Sequence, residues 1–431
     1  MRTRDVCFAS LLVLAVTGLR GESVSPAPNP DVARNLNNLG SFYFDRGEFA
    51  RAETVLSQAA AMGEPNASLN LAATLRAEAR YADAEKFYLR ALAIRESEPA
   101  PSPKRIASAL YGLALLYRDT ARYAEAEQFA RRALEHEGDV ASTLNVLGMV
   151  VQAEGRTAEA EALFRHALEA AEGSSTPDAP ILAEILINLG NADRLKGNLA
   201  SAQAQLERAV SLLNGTGPNS TRMAAALEGL SVVVRARGDV QQARAIATRA
   251  LLLFQASVGT DHPDYAAALS NLALIDLDLH DVRKARQLFL EALGIDEQKL
   301  GPTHPRIATD LNNLGVASAG LHDYASAESY FRRALAMESK TAQAAFWMAN
   351  LASLYAHEGR RADALELYRH ATAILRDANA PGDLRVAKIL DEYATLLRAA
   401  GSFAEAEDAQ TRAMRIRVRY ANTNPGEVKQ S

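Results

Sequence analysis

Asparagine and arginine are the residues of this chain whose spacing could do chemistry. Asn38, Asn70, Asn188, Asn271, Asn313 and Asn350 each stand two residues ahead of a small one, namely Gly40, Ala72, Gly190, Ala273, Gly315 or Ala352. A carboxamide donates and accepts at once, so a row of them can hold the backbone of an extended peptide without demanding a particular side chain. Asn312 lies beside Asn313. Six residues beyond the same position come Arg76, Arg118, Arg194, Arg235 and Arg398, whose guanidinium groups can pair with carboxylates of a ligand. Gly112, Val146, Gly229 and Glu392 interrupt the asparagine column, which leaves Asn271, Asn313 and Asn350 as its most continuous stretch.

Catalytic chemistry finds no comparable arrangement. The chain has no GxSxG, no phosphate-loop lysine, no HExxH and no set of cysteine ligands. His262 and His304 stand 42 residues apart and each precedes a proline, which marks a helix start and not a metal ligand. Carboxylates such as Glu125 with Glu127, or Glu405 with Glu407, flank alanines and read as solvated faces. No catalytic residue, metal or cofactor is expected.

The elements that must position these groups announce themselves through alanine. Ten pairs at a spacing of seven recur along the chain: Ala52/Ala59, Ala84/Ala91, Ala126/Ala133, Ala160/Ala167, Ala202/Ala209, Ala243/Ala250, Ala285/Ala292, Ala327/Ala334, Ala364/Ala371 and Ala406/Ala413. Seven residues is nearly two helical turns, so each pair shares a face on which a methyl lets a second helix come close. Pairs begin 32 to 42 residues apart, the period of a solenoid. Between the two helices of a unit stands Gly47, Gly155, Gly197, Gly238, Gly359 or Gly401, where the backbone needs positive φ. His280 and His322 fill that slot in two other units, and histidine tolerates left-handed geometry better than most residues.

The spacing of Leu314-Gly315, Tyr324, Ala327, Phe331 and Ala334 resembles a tetratricopeptide repeat, and nearly the whole chain past residue 30 follows it. The common 42-residue step and the HPxxAxxLxNL wording of His262 to Leu272 and His304 to Leu314 are further similar to the repeats of kinesin light chain. The heptad stretch that precedes the repeats of kinesin light chains is missing, so motor transport is not implied. The resemblance implies an all-α, right-handed superhelical solenoid of about ten repeats over 31–420, with the first helix of each repeat on the concave side. It also implies that the asparagine column faces the groove. The architectural alternative is that each asparagine bonds a neighbouring repeat and sets the pitch, while the arginines extend into solvent.

The two ends differ from the array. Arg2 and Arg4 precede an apolar run from Val6 to Val16 and then small residues, which is a secretory signal pattern over 1–23, followed by a Pro-rich linker over 24–30. A secreted or periplasmic chain is expected, or a cytoplasmic one if that segment is retained as something else. Cys7 would be lost with the signal. Gln410 stands where Phe289, Phe331 and Tyr368 stand in earlier repeats, as in a last unit with no successor, and 421–431 is a polar tail. With 47 basic against 52 acidic residues there is no cationic excess for nucleic acid. No apolar segment reaches bilayer length, so the processed chain is expected to be free of membrane. Asn66, Asn214 and Asn219 are glycan acceptors only in a eukaryotic secretory route. The expected function is an interaction scaffold that binds a peptide or protein segment in its groove. A self-associating structural protein is the second reading and an enzyme the third.

Overall fold

A computed structural model describes residues 29–136, 140–214, 220–377 and 384–423. The expected signal segment, Cys7, most of the linker, Asn219 and the end of the tail lie outside those residues. Twenty helices and no strand occur among the described residues, in ten consecutive pairs. The first helices are α1 (Pro30–Asp45), α3 (Ala67–Ala77), α5 (Pro103–Asp119), α7 (Val140–Ala153), α9 (Ala179–Leu195), α11 (Ser220–Ala236), α13 (Pro263–Asp278), α15 (Pro305–Gly320), α17 (Ala342–His357) and α19 (Leu384–Ala399). The second helices are α2 (Phe49–Ala61), α4 (Tyr81–Glu96), α6 (Tyr123–Glu135), α8 (Thr157–Glu172), α10 (Leu199–Leu213), α12 (Val240–Val258), α14 (Val282–Leu300), α16 (Tyr324–Met337), α18 (Arg361–Asp377) and α20 (Phe403–Thr423).

All twenty paired alanines are buried, none more than 2% exposed. Four residues after the first alanine of a pair comes the side chain that fills the space between the helices, such as Phe164, Phe289, Phe331 or Tyr368. Opposite Phe164 and Phe331 the first helix carries a glycine. A Cβ added at Gly148 would lie 2.6 Å from Phe164, and one added at Gly315 would lie 2.5 Å from Phe331. Gln410, in the same place on α20, is exposed.

Local chemistry explains the helix ends. Nδ1 of His262 accepts the Asp264 backbone N–H at 3.1 Å, and Nδ1 of His304 accepts that of Arg306 at 3.2 Å, so both histidines cap the helices they precede. The intra-repeat turns carry positive φ at the six expected glycines and at His280 (62°) and His322 (61°). The remaining two described turns of this kind use Ala79 and Ala121, both at 57°, a conformation that the Cβ of alanine disfavours.

The solenoid winds tightly enough that repeats five apart touch. Nε2 of His262 in repeat 7 lies 3.0 Å from the carbonyl oxygen of Ala77 in repeat 2. Since Nδ1 already accepts a bond, Nε2 carries the proton and donates it. His304 in repeat 8 makes the matching contact with the backbone of Asp119 in repeat 3. Gly47 of repeat 1 faces the Ser257 carbonyl of repeat 6, to which an added Cβ would approach within 3.5 Å.

Repeats 7 and 8 are joined by a buried polar clamp. Arg306 holds both oxygens of Asp296 at 2.5 Å and donates to the Pro263 carbonyl at 2.6 Å. Asp310 accepts from the Ser270 hydroxyl at 3.1 Å, and its other oxygen finds no donor. Burial, then the adjacent Asp296 carboxylate, pushes Asp310 up to about 8, so at neutral pH it is protonated and shares its proton with Asp296.

Two outcomes follow for stability. Ala121→Gly removes a left-handed penalty of about 1–2 kcal/mol and gives back about 0.4–1 kcal/mol of unfolded-chain entropy, so the thermal midpoint should rise by the equivalent of about 0.5–1 kcal/mol. A fall would show that the turn is not strained. Asp310 in the folded chain keeps a proton that the unfolded chain releases near its ordinary value of 3.8. Its contribution to stability therefore declines as pH climbs from that value to about 8 and is flat above. Asp310→Asn should raise the melting midpoint more at alkaline than at acidic pH, and an equal gain at both would exclude the raised carboxyl.

Candidate binding cavity inside the superhelix

Because repeats five apart meet, the inner side of the superhelix closes around a cavity of about 910 Å³. Its wall comes mostly from the first helices of repeats 2, 3, 5, 6, 7 and 8, which bring Arg76, Tyr111, Arg118, Asp119, Glu184, Arg222, Asp264 and Arg306 to one space. Counted from the asparagine column, these residues lie one, four or seven positions before it and six or seven after it. Tyr111, Glu184, Arg76 and Arg118 lie about 40–120° round the helix from the column, whereas Asp119, Arg222, Asp264 and Arg306, seven residues away, lie within about 20° of it.

Charges on this wall are mostly cross-linked between repeats. Asp119 accepts Arg76 at 2.6 Å and the Nε of Arg118 at 2.9 Å. Burial pushes its carboxyl up, but Arg118 and Arg76 together outweigh that and hold it below the ordinary range. Two guanidinium groups thus share one carboxylate. Arg222 is ion-paired to Glu184 across the repeat 5–6 junction. Glu228 sits near Asp264 and Arg306, and burial, then the Asp264 charge, pushes it up to about 7. The wall is a polar surface with hydrogen-bonding capacity of both signs, interleaved with the phenol rings of Tyr81, Tyr111 and Tyr123. Among the described residues no group of histidine, cysteine and carboxylate side chains could hold a metal ion. Nor is any helix among them long and apolar enough to cross a membrane.

Of the asparagines and arginines singled out by spacing, Arg76 and Arg118 line the cavity and the others do not, while the capping His262 and His304 line it as well. The asparagines form rungs between first helices. Asn70 donates to Asn37 at 2.9 Å and to Ser41 at 3.1 Å, Asn188 to Asn145 at 2.9 Å, Asn271 to Ser231 at 2.7 Å and Asn350 to Asn312 at 2.9 Å. Asn312 also reaches Asn313 at 3.4 Å, and Asn38 is exposed on α1. Two of the four gaps in the column, Gly112 and Gly229, have a steric cause. A Cβ at Gly112 would lie 2.2 Å from Tyr88, and one at Gly229 would lie 2.8 Å from Leu206, both on the preceding repeat.

Arg235 pairs with Asp278 of the next repeat at 2.7 Å, as Arg76 does with Asp119. Burial, then the charges of Arg385 and Arg235, lowers Arg194, whose Nε has no hydrogen-bond partner. Arg398 donates to Gln410. Tyr111, Glu184, Arg222 and Arg306 escaped the reading of the sequence, since nothing in one helix shows which of its faces a superhelix turns inward.

Models of the tetratricopeptide repeat match residues 32–64, 63–136, 139–214, 222–298, 277–339 and 343–417. No curated protein shows significant sequence similarity to the chain. Among solved structures, a Rap protein complexed with Competence and Sporulation Factor is similar over 83% of this chain and 98% of its own, at 16% identity and a TM-score of 0.59. BtubC (BKLC) from P. vanneervenii is 24% identical over 52% of this chain and 90% of its own, with a TM-score of 0.40. Nearly identical kinesin-light-chain TPR-like repeats from Podospora anserina are 21% identical over 46% of this chain and 96% of theirs, with a TM-score of 0.39. With repeat models covering most of its length and helix pairs locked throughout by buried alanines, the chain belongs to the tetratricopeptide repeat family.

Proposed function

We propose that this chain is a non-catalytic interaction scaffold that holds a peptide or protein segment inside its superhelix, and that it works in a secreted or periplasmic setting. One observation carries the reading. The inner wall encloses about 910 Å³, room for several residues of an extended segment, and presents guanidinium, carboxylate and phenol groups from six repeats to that space. Arg76 and Arg118 share the single carboxylate of Asp119, so this part of the wall has positive charge to spare for an acidic group of the bound segment. Tyr111 adds a flat amphipathic surface with little rotamer entropy to lose. The compartment rests on the charged and then apolar opening of the chain, Arg2 to Val16.

The test compares two sets of positions on the first helices. An extended-peptide library is screened against the full chain, and the affinity of a recovered binder is then measured with variants. Arg118→Ala combined with Tyr111→Ser should weaken capture at least about tenfold, equivalent to about 1.4 kcal/mol. Unchanged affinity would reject the cavity. Asn271→Ala with Asn350→Ala, which unlinks rungs outside the cavity, should lower the melting midpoint by about 1–3 kcal/mol in total and leave affinity within twofold or so. Loss of capture without loss of stability in that variant would move the ligand onto the asparagine column.

A further inference from the structure

The first and last helices of the array expose apolar positions that most interior repeats bury, Val140 of repeat 4 being an exposed exception at the Val32 place. On α1, Val32, Leu39 and Phe42 are exposed, Phe42 by 53%. The same three positions in repeat 8 are Ile307, Leu314 and Ala317, and Ala317 is fully buried. Repeats 3, 5 and 7 bury theirs as well. At the other end, Met414 of α20 is 66% exposed, whereas its counterpart Leu293 on α14 is 6% exposed and belongs to one core cluster with Ile307 of the following repeat. Val32, Leu39 and Phe42 therefore form the face that receives a preceding repeat, and Met414 with Gln410 the face that receives a following one.

Ion pairs recur at interior junctions as well. At five junctions a cation ahead of one second helix pairs with the glutamate just after the first paired alanine of the preceding repeat. The pairs are Arg80–Glu53, Arg122–Glu85, Arg156–Glu127, Lys196–Glu161 and Arg360–Glu328, at 2.5 to 3.0 Å. Glu407 on α20 holds the glutamate place and is exposed. Arg46, six residues before Ala52, holds the place that Lys196 holds six before Ala202; it is exposed and pairs with Glu48 at 2.9 Å. Glu48 stands four before Ala52, where Arg80, Arg122, Arg156 and Arg360 stand in their repeats.

We infer that the tail face of one copy stacks on the head face of another and continues the solenoid from chain to chain. The occupant is a second copy because the chain carries both halves of a junction that it already forms nine times within itself. Such a contact is heterologous, so it leaves a free head and a free tail at the ends and grows beyond a dimer. Gln410, polar where interior repeats carry an aromatic or aliphatic group, makes this junction weaker than an interior one, and assembly is reversible and concentration-dependent.

Sedimentation velocity on the full chain tests this. The wild type should shift with concentration from monomer to dimer and larger species. Phe42→Glu, which spoils the head, and Met414→Glu, which spoils the tail, should each stay monomeric. Both positions are exposed, so folding is kept and is checked by circular dichroism. An equimolar mixture of the two variants retains one good head and one good tail, and should form a dimer and nothing larger. A wild type that stays monomeric, as when another part of the chain covers α1, would overturn the proposal. So would a mixture that does not dimerise, or single variants that assemble like the wild type.

Discussion

The close approach of two helices across an alanine methyl is the contact on which this molecule is built. It recurs twice in each repeat, and because each methyl is buried completely, no larger side chain fits without pushing the helices apart; overpacking of this kind costs about 1–3 kcal/mol per site. Helix separation in turn sets the rotation from one repeat to the next. Errors in that rotation would add up along ten repeats, so uniform small contacts are what allow His262 to find the carbonyl of Ala77, 185 residues away in sequence. Phenyl rings at Phe164 and Phe331 are accommodated because Gly148 and Gly315 yield on the opposite helix, and the spacing survives.

A superhelix this tight creates an unusual electrical setting. Asp119, Glu228 and Arg306 are reachable by water yet surrounded by protein from repeats on both sides of the hollow, so burial is the largest influence on each of them. Charges here are tolerated where a partner from the adjoining repeat is within reach. Asp119 has two guanidinium groups and stays ionised, Glu228 moves to about 7 because burial and the Asp264 charge outweigh Arg306, and Asp310 keeps its proton against Asp296. The same pairs tie successive repeats together, so the binding surface and the clamp that shapes it are built from shared residues.

Hydrogen bonding divides the first helices into two working faces. One carries Asn70, Asn188, Asn271 and Asn350 and spends its carboxamides on the preceding repeat. The other, one or four residues earlier in the helix, carries Tyr111 and Glu184 toward the hollow. A one-residue difference is a rotation of about 100°, enough to change a ligand contact into a structural rung.

The sequence by itself determined whatever depends on neighbours within a repeat. The alanine pairs, the small crossing residues, the glycine or histidine turns and the His-Pro helix starts are all local rules of helix geometry, and each could be read from spacing. Ala79 and Ala121 were not legible as left-handed turns, because alanine favours that conformation nowhere and only the packing of helices on either side holds it there. Tertiary structure alone decided which face looks inward, that repeats five apart touch, and that Arg76, Arg222 and Arg306 share one cavity. Those relations follow from a small rotation per repeat summed over several repeats. No single stretch of the chain contains that sum.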